Sequence, residues 1–136
     1  MNTLYKIAVI DDDDVFQLII KKQMEMRKFP CEILSFSNGQ TSIEFLRNNL
    51  NSPEILPQLI MLDVNMPIKD GWEFLEEYKH LPIGVKNSIV LYMVTSSVIQ
   101  SDIDRAAKNK DIHGFISKPI TSQNLEEILG HLPPIG

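Results

Sequence analysis

Apolar runs and amphipathic stretches alternate along the chain, a pattern typical of repeated βα units around a parallel sheet. Five apolar runs have the length of strands: Lys6–Ile10, Cys31–Phe36, Leu59–Leu62, Ser88–Val94 and Gly114–Ser117. The first, third and fourth are nearly unbroken, as expected of strands that are covered on both faces. The pattern therefore predicts an α/β fold with five parallel strands.

The stretches between these runs have the spacing of amphipathic helices, because apolar residues return every three or four positions. The clearest sets are Phe16, Ile20 and Met24; Ile43, Leu46 and Leu50; Ile99, Ile103 and Ala106; and Leu125, Ile128, Leu129 and Leu132. Ser37, three residues before Gln40, predicts a capping box at the second helix, and Thr121 predicts a cap for the last one. Each helix is expected to bury one face against the sheet.

Length and composition indicate one globular domain. The chain has 136 residues, of which 43% are hydrophobic and 23% charged, which is ordinary for a folded domain of this size. We expect one domain over residues 1–136, with a core at about residues 5–132 and no output domain.

Cysteine content, hydropathy and charge limit the kinds of site, the cellular location and the partners that we expect. Cys31 is the only cysteine, which excludes an intrachain disulfide and a site built on several thiolates. No apolar run approaches the ~20 residues of a membrane span, and the N-terminus lacks a signal-peptide pattern, so a cytoplasmic protein without membrane insertion is expected. A net charge of −5 argues against direct nucleic-acid binding, which depends on basic contacts to phosphates.

Polar side chains follow four of the predicted strands, at the edge of the sheet where ligands of parallel α/β folds bind. They are Asp11, Asp12, Asp13 and Asp14 after the first strand, Asp63 after the third, Thr95 and Ser96 after the fourth, and Lys118 and Pro119 after the fifth. Carboxylates that share a crevice raise their pKa values or hold a cation. Mg²⁺ takes oxygen ligands and is often completed by phosphate oxygens, and Lys118 could meet the same phosphate.

Each of these residues also has a structural interpretation. Asp13 or Asp14 could cap the first helix, Asp63 could belong to an ordinary turn before Pro67, and Lys118 could be a surface charge. Taken singly, these interpretations are preferred. Because the residues fall together at four strand ends, a functional site is the better prediction.

Four motifs resemble those of the response-regulator receiver family of two-component signalling, and the resemblance covers residues 6–132. They are Asp11-Asp12, the segment LDVNMPIKDG from Leu62 to Gly71, Val94-Thr95-Ser96, and FISKP from Phe115 to Pro119. The resemblance implies a stand-alone receiver with a flavodoxin-like, doubly wound (βα)₅ fold and strand order 2-1-3-4-5. Pro119 raises the possibility of a cis peptide after Lys118.

The resemblance also implies a role for each site residue. Asp63 would be the phosphoacceptor; Asp12, Asp63 and the backbone carbonyl of Asn65 would bind Mg²⁺, and Asp11 would reach the ion through water. Lys118 and the hydroxyl of Thr95 would contact the phosphoryl oxygens. The donor would be a sensor histidine kinase or a histidine phosphotransfer protein, and an unknown target protein would read the signal. The domain would catalyse only its own phosphotransfer and dephosphorylation and would not be an enzyme with a separate substrate.

A conformational switch is implied at Thr95 and Phe115. Phosphorylation would draw Thr95 toward the phosphate and let the ring of Phe115 turn inward, which changes the surface formed by the fourth helix, fifth strand and fifth helix. Phe115 lacks the hydroxyl of the Tyr that many receivers carry at this position. Asn65 and Ser97 are small side chains beside the expected water path, so we expect the acyl phosphate to hydrolyse readily.

Two other functions compete with this one. The sequence Asp11-x-Asp13-x-Val15 also resembles the nucleophile motif of haloacid-dehalogenase-type phosphatases, with Asp11 as nucleophile and Thr95 and Lys118 in that family's next motifs. That family needs an acidic pair after the lysine, and only Glu126 and Glu127, on an amphipathic helix, follow Lys118. The second alternative is a non-phosphorylated docking module.

Overall fold

Within the described residues, the strands form one all-parallel sheet of five, with the order β2-β1-β3-β4-β5. The computed structural model describes residues 4–96 and 98–134. The strands are β1 (Tyr5–Ile10), β2 (Cys31–Phe36), β3 (Leu59–Leu62), β4 (Val90–Thr95) and β5 (Gly114–Ser117). The predicted fold class and strand order are confirmed, and the start of the fourth strand lies two residues later than predicted.

Six helices are found in the described residues, one more than the sequence pattern predicted. They are α1 (Asp14–Met26), α2 (Gly39–Asn48), α3 (Gly71–Tyr78), α4 (Ile83–Asn87), α5 (Gln100–Ala107) and α6 (Ser122–Gly130). The additional helix is α4, which is five residues long and buries none of its residues. A helix this short and exposed has no repeating pattern of apolar residues from which the sequence could predict it.

The predicted cap at Ser37 is wrong by one residue. Asn38 is the N-cap of α2, and its side chain accepts a hydrogen bond from the amide of Thr41 at 2.9 Å. A tertiary contact accounts for the shift, because the amide of Gly39 donates to the carbonyl of Lys69 at 2.9 Å and the helix begins at that glycine. The predicted cap of the last helix is confirmed, since Thr121 and Asn124 form a capping box at α6.

The sheet separates two hydrophobic cores. One lies on the side of α2 and α3 and includes Ile43, Phe74 and Tyr78, while the other lies on the side of α1 and α6 and includes Ile20 and Ile128. Every residue of β3 and β4 is buried, as the unbroken apolar runs predicted. Burial of the central strands on both faces fixes the positions of their carboxyl ends.

Helix α5 departs from the predicted pattern of burial. Ala106 is its only buried residue, and Ile99, which we expected on the buried face, is the N-cap with 53% of its surface exposed. The predicted helical spacing is present, but only Ala106 of that face is fully buried, and Ile103 is half-buried.

Among residues 4–96 and 98–134, no helix combines the length and the apolar character that crossing a membrane requires.

Candidate functional site

The acidic residues after β1 and β3 form one cluster at the carboxyl edge of the sheet. Ile10 pairs with Leu62 in the parallel register, so Asp11 and Asp63 emerge from neighbouring strands. Carboxylate oxygens of Asp11, Asp12 and Asp63 all lie within 4.8 Å of one another. The predicted convergence of residues far apart in sequence is therefore found.

Lys118 supplies a positive charge to this cluster. Its Nζ lies 2.7 Å from Oδ2 of Asp11 and 4.0 Å from Oδ2 of Asp63. The ammonium also stands 4.4 Å from the ring centroid of Phe16, within the range of a cation–π contact. One cation faces three carboxylates, so the cluster keeps an excess of negative charge.

Asp11 is the most deeply buried member of the cluster, with 2% of its surface exposed. Its Oδ1 accepts a hydrogen bond from the amide of Asp13 at 2.9 Å. Burial raises the pKa of Asp11 to about 6; the hydrogen bonds from Lys118 and Asp13 oppose that rise, and the charge of Asp63 adds to it. A further cation close to this side chain would stabilise the charged form of the carboxylate.

Asp13 has the structural role that its position suggested. Its carboxylate accepts hydrogen bonds from the amides of Val15 at 2.9 Å and Phe16 at 3.3 Å, so it is the N-cap of α1. A phosphatase of the haloacid-dehalogenase type would need this residue as its general acid and base. Glu126, one of the two acids after Lys118, pairs instead with Arg27 at 3.9 Å, and neither it nor Glu127 belongs to the carboxylate cluster.

Gln17 fixes the backbone from which Asp11 emerges, and the sequence reasoning missed it. The side chain is buried, and its Nε2 donates to the carbonyls of Val9 at 2.8 Å, Asp11 at 3.1 Å and Phe36 at 3.2 Å. These contacts join the ends of β1 and β2 to α1. An amide side chain next to the buried Phe16 on an amphipathic helix is the signal that could have identified it.

Asp63 is buried and held by backbone contacts. It is 8% exposed; its amide donates to the carbonyl of Ile10 at 2.9 Å, and its Oδ1 accepts from the amide of Val64 at 2.8 Å. Its other carboxylate oxygen, Oδ2, is the atom nearest to Lys118. The side chain therefore has one oxygen fixed by the backbone and one directed toward the ammonium.

The loop after Asp63 is fastened at its far end by Gly71. The amide of Gly71 donates to the carbonyl of Val64 at 2.8 Å, and a Cβ at this position would overlap the carbonyl oxygen of Asp63. Only glycine lets the first turn of α3 approach Asp63 so closely. Asp70 then caps α3 in a capping box with Glu73.

Ile68, in the middle of the same loop, has a strained backbone. Its φ is 69°, and the amide of Lys69 donates across it to the carbonyl of Pro67 at 2.8 Å, which is a γ-turn of the rare positive-φ type. The side chain of this β-branched residue is 79% exposed. Asn65, whose carbonyl was predicted to bind the metal, lies in this loop and is exposed.

Thr95 and Lys118 lie at the ends of adjacent strands. Thr95 is 1% exposed and pairs with Ser117 in the parallel register, and the amide of Lys118 donates to the carbonyl of Thr95 at 2.9 Å. The peptide between Lys118 and Pro119 is cis. Ser97, predicted to lie beside the water path, falls outside the described residues.

Phe115 stands in β5 opposite Met93 of β4. Its ring is partly buried and packs against the core on the side of α2, α3 and α5. The position agrees with a ring that contacts α5, while the predicted rotation of the ring remains an expectation.

Comparison with known proteins gives one consistent answer. The family model for the response regulator receiver domain matches residues 7–130. A crystal structure of a two-component response regulator from Cytophaga hutchinsonii is 25% identical with a TM-score of 0.83, covering 95% of this chain and 96% of that one. A response regulator receiver protein from Dyadobacter fermentans is 29% identical with a TM-score of 0.81, covering 96% and 99%.

Curated relatives agree, although their lengths differ. A probable methanogenesis regulatory protein, FilR2 of Methanothrix harundinacea, is 24% identical over 88% of this chain and 76% of its own length. Some other relatives are much longer: the matched region is 7% of a hybrid signal transduction histidine kinase of Dictyostelium discoideum and 37% of the chemotaxis protein CheV1 of Helicobacter pylori. The match of the family model, the sheet order and the cluster of Asp11, Asp12, Asp63 and Lys118 together show that the chain belongs to the response regulator receiver domain family.

Proposed function

We propose that Asp63 accepts a phosphoryl group from a histidine kinase or a histidine phosphotransfer protein, in a reaction that requires Mg²⁺. The observation that carries the proposal is the arrangement of three carboxylates within 4.8 Å of one another beside Lys118, whose ammonium is 4.0 Å from Asp63. Asp11 and Asp63 each have Oδ1 held by a backbone amide, but Oδ2 of Asp11 is already bonded to Lys118 at 2.7 Å, whereas Oδ2 of Asp63 lies 4.0 Å from that ammonium. Asp63 therefore keeps one carboxylate oxygen beside the cation and outside hydrogen-bond distance of it, which favours Asp63 as the positioned nucleophile.

The donor set fits a hard divalent cation. Three carboxylates face one ammonium, so the cluster carries an excess of negative charge. Burial also raises the pKa of Asp11 to about 6, and a further cation would offset that rise. Asp12, Asp63 and the backbone carbonyl of Asn65 would hold Mg²⁺, and Asp11 would reach it through water. When bound, the ion neutralises charge so that an anionic carboxylate and an anionic phosphoryl group can approach each other.

The reaction is a displacement at phosphorus followed by hydrolysis. Oδ2 of Asp63 forms a bond to phosphorus, and the bond from phosphorus to the donor nitrogen of phosphohistidine breaks; the departing imidazole takes the electron pair and a proton from solvent. In hydrolysis, water forms a bond to phosphorus, and the aspartate leaves as a carboxylate with release of inorganic phosphate. Lys118 and the hydroxyl of Thr95 would contact the phosphoryl oxygens and stabilise their charge.

Signalling would follow from the response of Thr95 and Phe115. Thr95 would move toward the phosphoryl group, Phe115 would turn inward, and the surface of α5, β5 and α6 would change for a target protein. Phe115→Ala should separate these steps, because Asp63 should still be phosphorylated while the response of the surface is lost. We also propose that one receiver domain over residues 1–136 acts in the cytoplasm, where the ATP used by histidine kinases is found.

The test is the intact mass of the protein after incubation with Mg²⁺ and acetyl phosphate, a small phosphodonor. Wild type and the control Asp14→Asn, which removes an exposed acid outside the cluster, should each gain one phosphoryl group. Asp63→Asn should gain none, and Asp11→Asn should react more slowly.

Other outcomes contradict the proposal in distinct ways. If Asp63→Asn still turns over phosphate and only Asp11→Asn is inactive, the chain is a phosphatase with Asp11 as nucleophile. If the wild type gains nothing with Mg²⁺ present, the chain is a docking module that is not phosphorylated.

A further inference from the structure

A tryptophan at the start of α3 joins that helix to α5. Nε1 of Trp72 donates to Oδ1 of Asp102 at 3.2 Å, and the guanidinium carbon of Arg105 stands 4.4 Å from the centroid of the indole. Asp102 and Arg105 are three residues apart on α5, so they lie on the same face of the helix. The indole is thus bound along its edge by one residue and over its face by the other.

This contact adds to the small buried face of α5. The helix buries only Ala106, and its N-cap, Ile99, makes no side-chain hydrogen bond. By contrast, α3 buries Gly71, Phe74, Leu75 and Tyr78 and begins with a capping box. Because α3 is firmly placed, Trp72 gives α5 an anchor on the rigid part of the molecule.

The anchor connects two chain segments that leave the phosphorylation site. Trp72 follows Gly71, whose backbone packs against the carbonyl of Asp63, and α5 follows Thr95 after a short connection. We propose that Trp72, through Asp102 and Arg105, is a positioning residue that couples the Asp63 loop to α5 and opposes the displacement of α5 on phosphorylation. This inference rests on the proposed function, because it requires that Asp63 be phosphorylated.

The coupling has a defined consequence. On this proposal, the first turn of α5 moves with Thr95 when Thr95 is drawn toward a phosphoryl group, and the bond from Trp72 to Asp102 is weakened. A contact that is made in one arrangement and weakened in the other biases the equilibrium between them, so its removal raises the population of the displaced arrangement, the one that reacts with the phosphodonor. Removing one partly exposed hydrogen bond to a carboxylate should therefore speed phosphorylation about two- to fivefold.

Helix α5 offers a closely matched control. Asp104 lies two residues after Asp102, carries the same charge, and accepts a hydrogen bond from Gln100 of its own helix at 2.9 Å. Asp102→Ala and Asp104→Ala thus make the same chemical change on the same helix, and only the first removes the acceptor of the bond from Trp72. Trp72→Phe is the complementary variant, because it keeps an aromatic face for Arg105 and removes the indole N–H.

The experiment measures the initial rate of phosphoryl gain by intact mass, with acetyl phosphate and Mg²⁺, for these variants and wild type. Asp102→Ala and Trp72→Phe should each be about two- to fivefold faster than wild type, and the double variant no faster than either, since both remove the same bond. Asp104→Ala should match wild type. Trp72 is the only tryptophan, so its emission should shift to longer wavelength when wild type is phosphorylated.

Three results would overturn the inference. If wild type gains a phosphoryl group while the emission of Trp72 is unchanged, or if Asp102→Ala and Asp104→Ala have the same rate, the coupling is absent although the proposed function stands. If wild type gains no phosphoryl group, the proposed function and the coupling fail together.

Discussion

The two sides of the site differ in how deeply their residues are buried and in how they are hydrogen-bonded. On the side of β1 and β3, Asp11, Gln17 and Asp63 are each less than 10% exposed and are hydrogen-bonded to backbone groups. On the side of β5, the strand has no fully buried residue, and α5 buries only Ala106. Groups that react must be positioned accurately, whereas elements that move belong to the less stable part of a fold. Under the proposed function, the nucleophile and the metal ligands lie on the first side, and the elements that respond lie on the second, with Lys118 reaching the cluster from the end of β5.

Gly71→Ala should disturb the side of β1 and β3 most. The added Cβ would overlap the carbonyl oxygen of Asp63, so the loop must move, at a cost of about 1–3 kcal/mol in the free energy of unfolding. Urea denaturation measures that cost, and phosphorylation by acetyl phosphate should slow sharply as well. Gly84→Ala is the control, because a Cβ there meets no atom within 4 Å. Equal stability of the Gly71 variant and wild type would show that the close approach is not needed.

The contrast between the two sides also explains which features the sequence could predict. The strands and the residues that follow them were predictable, because unbroken apolar runs mark buried strands and a parallel sheet brings their carboxyl ends together. The contacts of Gln17 and Gly71 were not, since they depend on atoms contributed by other segments; the sequence marks Gln17 only as an amide side chain next to the buried Phe16. The weak burial of α5 was missed for a related reason: the spacing of Ile99, Ile103 and Ala106 is helical, but periodicity does not tell how much of a face finds a partner.

Asp11 should make the side of β1 and β3 sensitive to pH. Its pKa is raised from 3.8 to about 6 in the folded protein, so the folded state holds the proton more tightly than the unfolded state. The contribution of Asp11 to stability is therefore full below about pH 4 and is lost as the pH rises toward 6. With a chelator present, the difference in unfolding free energy between wild type and Asp11→Asn should fall over this interval.

Asp14→Asn, at an exposed position, is the control for that measurement. A difference between wild type and Asp11→Asn that is independent of pH would mean that Asp11 ionises alike in both states. Addition of Mg²⁺ at pH 7 should stabilise wild type more than Asp11→Asn, because the ion favours the charged carboxylate.

Ile68→Gly should have the smallest effect, and in the opposite direction. Relief of the positive φ at Ile68 contributes about 1–2 kcal/mol, and the greater entropy of glycine in the unfolded chain offsets about 0.4–1 kcal/mol of it. A modest rise in the urea midpoint is expected. Ile83→Gly, at an exposed helical position, should lower the midpoint; if both variants lower it, the backbone of Ile68 is not strained.

Hydrogen exchange with and without acetyl phosphate and Mg²⁺ tests the division between the two sides most directly. In wild type, the amides of residues 98–118 should exchange faster than those of β1 and β3, and only they should change markedly on phosphorylation. Asp63→Asn should show the same initial contrast and no change on addition of acetyl phosphate. Slow exchange throughout α5, or a phosphorylation-dependent change centred on β1 and β3, would contradict the assignment of chemistry to one side and response to the other.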